Sequence, residues 1–251
     1  MTDQLRDYAR QLKLGNIEDL YDRVQFKDKR QYLTDLLELM LDQRRAKRAD
    51  RLIRKAGFPV IKTLEGYDFD PITFPAGLNH GALTGLEFIS RKENVLMLGS
   101  VGTGKTHLAV ALGVKACLQG FRVQFYRAAD LANDLMELHL SSQAGRLIRD
   151  IGKADLFILD ELGYVPFRKE ASELLFSVVS NTYEKQSIIV TSNLEFGRWT
   201  EVFGDDRLTA ALIDRLVHHS HILPFKGDSH RLREAMAKRK EPAKEEVSER
   251  R

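Results

Sequence analysis

Gly99-Ser100-Val101-Gly102-Thr103-Gly104-Lys105-Thr106 is the stretch that decides the fold of this chain. It has the form G-x-x-x-x-G-K-[ST]. The apolar run Val95-Leu96-Met97-Leu98 precedes it, and His107-Leu108-Ala109-Val110-Ala111, which suits a helix, follows. Glycines let the backbone curl until successive N–H groups face phosphate oxygens, and a helix beginning at Lys105 adds the positive end of its dipole. Such a loop is built to hold the phosphates of a magnesium-bound nucleoside triphosphate. ATP is the expected nucleotide, with Gly99, Ser100, Val101, Gly102, Thr103, Gly104, Lys105, Thr106 and His107 as the segment around it. Lys105 would reach the β- and γ-phosphates, and the Thr106 hydroxyl would coordinate Mg²⁺.

Beyond the loop, short apolar segments alternate with helical ones. Val123–Tyr126 reads as a strand, then Asp130 as a cap for a helix with Leu131, Leu135 and Leu138 on one face. Leu156–Leu159 reads as a strand, Leu174 to Tyr183 as a helix, and Ile188–Val190 as a strand. Short, wholly apolar strands separated by helices indicate a parallel sheet covered on both faces. The expected class is therefore α/β, a three-layer P-loop fold.

Two of these strands end in polar residues at the edge where such sheets bind ligands. Leu156-Phe157-Ile158-Leu159-Asp160-Glu161 closes on two acids: Asp160 suits Mg²⁺ held through its water shell, and Glu161 suits polarising a water for attack on the γ-phosphate. A single acid there would read as a helix cap; two, downstream of a P-loop, favour catalysis. Ile188-Ile189-Val190-Thr191-Ser192-Asn193 ends in Asn193, which could orient the attacking water, although Asn at a strand end is by itself an ordinary turn residue.

From Thr2 to about Gly57 the sequence reads as helices, with Leu33, Leu36, Leu37, Met40 and Leu41 recurring at three- and four-residue spacing. That apolar stripe requires a partner surface. The same helix continues into Arg44, Arg45, Lys47, Arg48, Arg51, Arg54 and Lys55, against the one acid Asp50, and Gly57 with Pro59 ends it. Residues 60–75, rich in aromatics and turn formers, read as a linker lying along the next domain's surface. The boundaries expected are a helical domain over 1–66, the ATPase domain over 67–233, and a charged, disordered tail over 234–251.

The bulk numbers exclude several classes. With 251 residues, a net charge of +3 and no apolar run near membrane-spanning length, the chain reads as a cytoplasmic protein with no membrane partner. The one cysteine, Cys117, offers neither a disulfide nor a thiolate metal site and reads as a small buried apolar residue. His218, His219 and His221 crowd together, but no acid or cysteine adjoins them and neighbouring histidines on a regular element point apart, so no metal is expected there. Trp199 and Phe203 read as packing residues.

The order of P-loop, Asp-Glu strand and Thr-Ser-Asn strand resembles AAA+ ATPases. Gly-Lys-Thr-His-Leu-Ala (104–109), Leu-Asp-Glu-Leu-Gly-Tyr (159–164), Asp-Arg-Leu-Val-His-His (214–219) and Gly-Asp-Ser-His-Arg-Leu (227–232) make it similar to the IstB family of insertion-sequence transposition helpers, close kin of DnaC-type helicase loaders. The likeness runs from about Phe69 to Arg233. It implies a homo-oligomeric ring or spiral on double-stranded DNA, and an integrase-like transposase partner of the IstA type. It also implies that each nucleotide is completed by an arginine from the neighbouring subunit, for which Arg215 is the matching residue. Arg231 matches an arginine that contacts the phosphates within the same subunit, although His230 stands where the family usually has Tyr. By composition alone Arg207 and Arg233 look equally eligible.

DNA contacts have two candidate sources. One is the Arg44 to Lys55 run; the other, implied by related initiator-type ATPases, is the helical stretch near 129–149 with Arg146 and Arg149. A solvated helix face, or a docking face for an acidic protein, explains the basic run equally well. No helix-turn-helix is evident, so binding would be mostly to the backbone. Three functions remain in view: a transposition helper, a DnaC-like loader of a replicative helicase, and a small-molecule kinase. No acceptor-substrate site is evident for a kinase. An initiator or unfoldase would continue well past Asn193 into a helical lid, so no C-terminal lid domain is expected. The wording of the motifs favours the helper.

Overall fold

The computed structural model describes residues 2–14, 17–26 and 28–227. Arg231 and the tail over 234–251 lie outside them. Three helices come first: α1 (Thr2–Gln11), α2 (Ile17–Leu20) and α3 (Lys29–Ala56). Asp28 caps α3 by accepting from the N–H groups of Arg30 and Gln31, and Gly57 ends it in the left-handed region at φ 82°. No helix among the described residues is long and apolar enough to cross a membrane; α3 is long but charged.

At about 1.5 Å per residue α3 extends roughly 40 Å, and its two halves bury nearly opposite sides. Leu36 and Met40 pack on Leu20 of α2, whereas Ala56, with Leu52 and Ile53 beside it, packs into the core that forms on the sheet that follows. The stripe expected from the sequence is only partly covered. Leu33, Leu37 and Leu41 are each at least half exposed, because the small cluster made with α2 is too narrow to reach them.

The rest alternates as expected. After α4 (His80–Gly85) and α5 (Glu87–Arg91) come β1 (Asn94–Gly99), α6 (Lys105–Leu118), β2 (Val123–Arg127), α7 (Ala128–Leu140), α8 (Ala144–Ile151), β3 (Leu156–Leu162), α9 (Lys169–Thr182), β4 (Ser187–Ser192), α10 (Thr200–Phe203), α11 (Asp206–Val217) and β5 (Ser220–Phe225). The five strands form one sheet in the order β2-β3-β4-β1-β5, parallel throughout. Alternate residues feed two cores. Val95, Met97, Ile158 and Ile189 face α6 and the end of α3, whereas Leu96, Phe157, Leu159, Ile188 and Val190 face α7, α9 and α11. Burial on both faces is why these strands are apolar without alternation.

Several sequence expectations are corrected. Arg127, not Asp130, occupies the N-cap of α7; Asp130 sits in the first turn, where its charge still complements the helix dipole. Helix α9 begins at Lys169, ahead of Leu174, because its polar first turn gave no apolar signal. Strand β5 departs from the sequence expectation, since Ser220 and His221 open it and Pro224 lies within it. A proline is tolerated at a sheet edge, where no outer neighbour needs its missing N–H. The linker covers that edge: Thr73 N–H donates to the Pro224 carbonyl at 2.9 Å, and Ile72 bridges to Phe225. Trp199, Phe203 and Cys117 are all buried, and burial pushes the Cys117 thiol up to about 11.

Candidate nucleotide site

The chain leaves β1 for the far edge of the sheet and returns strand by strand, so the C-terminal ends of β1, β3 and β4 open side by side. A cavity of about 410 Å³ lies there, lined by Gly102, Gly104, Lys105, Thr106, His107, Arg127, Glu161, Thr191 and Asn193 among others. The P-loop needs its glycines for different reasons. Gly99, at φ 147°, runs so close to β5 that a Cβ would stand 2.3 Å from the Phe225 carbonyl oxygen. Gly104, at φ 94°, is the N-cap of α6, the helix whose first turn faces the cavity. Lys105 is buried, and its ammonium donates to the carbonyls of Gly99 at 2.6 Å and Ser100 at 2.7 Å. Burial pushes that ammonium down to about 8, against the opposing pull of Asp160.

Asp160 is fully buried at the end of β3. Its Oδ1 accepts from the hydroxyls of Thr106 at 2.9 Å and Thr191 at 2.6 Å, while its Oδ2 is buried with no partner among the described residues. A buried carboxylate with a spare oxygen beside the Thr106 hydroxyl is a donor set that fits Mg²⁺, a hard cation that prefers oxygen and keeps several waters. Thr191 also accepts from the Glu161 N–H at 2.9 Å, so a single hydroxyl on β4 fixes both acids of β3.

Glu161 itself sits in a bulge. Leu159 pairs with Val190 but Leu162 pairs with Ser192, which leaves one residue too many on β3. Glu161 takes that position at φ 59°, an uncommon conformation for a residue with a side chain. Its carboxylate is thereby turned to the cavity, where Arg127 of β2 approaches it at 3.7 Å. Asn193 lines the same cavity, and its side-chain oxygen is buried with no partner among the described residues.

The opposite wall comes from the segment after α3. Pro59, Val60 and Lys62 line the cavity, the Thr63 carbonyl lies 3.0 Å from His107 Nε2, and the Tyr67 hydroxyl donates to the Gly104 carbonyl at 3.2 Å. Burial, with Asp68 adding to it, raises the Tyr67 phenol well above its ordinary range. The aromatic linker is thus part of the nucleotide cavity. Sequence reasoning missed Tyr67, Arg127 and Thr191 as site residues; Thr191 stands in the strand that ends in Asn193, whereas Tyr67 in the linker and Arg127 at the end of β2 carry no local signal.

Other expected residues stand apart. Arg215, in the last turn of α11, does not line the cavity; its guanidinium lies 4.6 Å over the Phe176 ring and donates to the Ala211 carbonyl. The basic residues of α3 are all exposed, but some are engaged. Arg48 donates to the Gly120 carbonyl, Arg44 to the Lys13 carbonyl, and Arg45 pairs with Asp42. Arg146 and Arg149 are exposed on α8.

The family profile for IstB-like ATP binding proteins matches residues 8–238. The chain belongs to the IstB-like ATP-binding family. An ATP-binding protein of insertion sequence IS21 from Pseudomonas aeruginosa is 42% identical over 208 residues, covering 82% of this IstB-like chain and 77% of the relative. One from IS5376 of Geobacillus stearothermophilus is 38% identical, covering 81% of each. Among solved structures, DnaA of Aquifex aeolicus bound to AMPPCP matches with a TM-score of 0.53 at 22% identity, over 74% of this chain and 56% of that one. A DnaC helicase loader matches with a TM-score of 0.51 at 22% identity, over 65% of this chain and 96% of that one. These likenesses establish the fold, the AAA+ P-loop type shared with DnaA and DnaC. The IstB-like protein is thus an ATP-binding protein of the insertion-sequence class.

Proposed function

We propose that this protein hydrolyses ATP with Mg²⁺ and works as a transposition helper, assembling on double-stranded DNA and recruiting an integrase-like transposase that carries out strand transfer. The observation that carries the hydrolytic reading is the bulge at Glu161, which presents a carboxylate to the cavity next to a buried Asp160 with a spare oxygen. Thr106 and Asp160 would hold Mg²⁺, which neutralises charge on the phosphates. Lys105 would bind the β- and γ-phosphates, Glu161 would take a proton from the attacking water, and Asn193 would orient that water. Arg215 lies outside the cavity of its own chain, which supports its acting on a neighbouring subunit's nucleotide; Arg231 is assigned to the same-subunit phosphates by motif position. Cytoplasmic residence follows from action on DNA. The insertion-sequence relatives, at 42% and 38% identity, support the helper over a helicase loader, of which one DnaC structure matches at 22%.

Nucleotide binding and hydrolysis measured on variants test this reading. Lys105→Ala should lose binding. Glu161→Gln should bind ATP, fail to hydrolyse it and remain assembled on DNA. Equal loss of binding in both overturns the roles. Arg215→Ala subunits mixed with Lys105→Ala subunits should regain activity at hybrid interfaces, and mixed assemblies without rescue rule out an arginine acting in trans. Replacing together Lys47, Arg51, Arg54 and Lys55, which are unpaired among the described residues, should flatten the salt dependence of DNA binding, each lost phosphate contact lowering the slope by about one. An unchanged slope would assign DNA contact elsewhere, with Arg146 and Arg149 next to be replaced.

A further inference from the structure

Away from the nucleotide cavity, where the chain enters β4 and β5, the fold gathers three side chains of metal-ligating type. Glu184 follows α9, in the left-handed region at φ 57°, just before β4. His218 closes α11 and His219 immediately precedes β5. Their donor atoms all lie within 4.8 Å of one another. Neighbouring histidines diverge on a helix or a strand, but these two occupy the switch from helix to strand. Their rings stand 4.2 Å apart at an interplanar angle of 62°. Glu184 Oε1 is 4.0 Å from His218 Nδ1 and 3.9 Å from His219 Nε2. The acid missing from the local sequence is thus supplied by a turn more than thirty residues upstream. His221, the third histidine of the crowd, turns away to Glu93 at 2.9 Å.

We propose that Glu184, His218 and His219 form a surface site for a zinc-type divalent ion. Two imidazoles and one carboxylate suit Zn²⁺, Co²⁺ or Ni²⁺ and do not suit Mg²⁺ or Ca²⁺, which take oxygen ligands. Tetrahedral bonds of about 2.0–2.2 Å place ligand atoms roughly 3.3–3.5 Å apart. The two carboxylate–imidazole spacings therefore need to close by about half an ångström and the imidazoles to turn toward each other from within 4.8 Å, within reach of side chains that are more than half exposed. The Tyr183 hydroxyl, 2.8 Å from His218 Nδ1, gives up that hydrogen bond when the nitrogen takes the ion. Three protein ligands leave a coordination position open at the surface. The ion would tie the turn after α9 to the end of α11. Those two helices carry Phe176 and Arg215, so the site would fix the seat of Arg215 from one helical turn away.

The test uses the full, metal-stripped chain without a histidine tag, titrated with Zn²⁺ against a chromophoric chelator, and with Co²⁺ followed by visible absorption. One equivalent should bind, with tetrahedral Co²⁺ bands, and Zn²⁺ should raise the melting temperature. His219→Ala and Glu184→Gln, both exposed and outside the core, should each weaken the affinity at least about tenfold and remove the bands and the thermal shift. His139→Ala, an exposed histidine elsewhere, should change none of these. The proposal is overturned if wild type shows no saturable uptake, or if wild type and both variants take up metal alike.

Discussion

Replacing Thr191 by valine tests how the two acids of β3 are held. Thr191 is buried, and its hydroxyl gives the Asp160 carboxylate a 2.6 Å hydrogen bond while accepting the Glu161 N–H at 2.9 Å. Valine keeps the shape and removes both bonds. The bond to a buried carboxylate is of the charged class, worth about 1.5–3 kcal/mol. The Glu161 N–H is only partly buried and recovers some of its loss through water, adding about 1 kcal/mol. The expected destabilisation is about 2–4 kcal/mol, a fall in melting temperature of roughly 5–15 °C for a domain of this size. Thr191→Ser keeps the hydroxyl and should lose only about 1 kcal/mol for the methyl group. Urea unfolding of wild type and both variants measures the difference. A cycle with Asp160→Asn should show coupling of about 0.5–3 kcal/mol. If valine and serine are equally stable, or the cycle is additive, the hydroxyl does not act through Asp160.

The lowered Lys105 ammonium gives two pH trends of opposite sign. A nucleotide needs the charged lysine, so affinity for a non-hydrolysable ATP analogue should be about eightfold weaker at pH 9 than at pH 7.5, and Lys105→Arg should flatten that decline. Between about 8 and the ordinary value of 10.5 the unfolded chain holds more protons at this position than the folded one, so this group's contribution to stability should rise with pH across that window, as urea titrations would show. Gly99→Ala should fail to give soluble protein, since its Cβ meets backbone at 2.3 Å, whereas Gly197→Ala, with nothing within 4 Å, should fold normally; circular dichroism and yield decide. Tyr67→Phe should cost about 0.5–1.5 kcal/mol in thermal unfolding and weaken nucleotide binding, because the linker loses its bond to the P-loop carbonyl.

The sequence by itself determined the P-loop, the parallel α/β sheet and the two acids that close β3. These are local statements: a glycine pattern that fixes backbone shape, apolar runs buried on both faces, and a short span of chain that carries both acids. Only the tertiary structure decided which distant groups meet them. The register shift between β3 and β4 chose Thr191 as the shared partner of Asp160 and Glu161, and set Glu161 in its bulge. Sheet order made Pro224 an edge residue and so allowed β5 to form. Two turns at one end of the sheet brought Glu184 to His218 and His219. The long helix α3 buries opposite sides along its length because two different bodies pack on it, which no single apolar stripe could announce. Such meetings depend on strand order, register and packing summed over the whole chain, and the residues that meet are far apart along it.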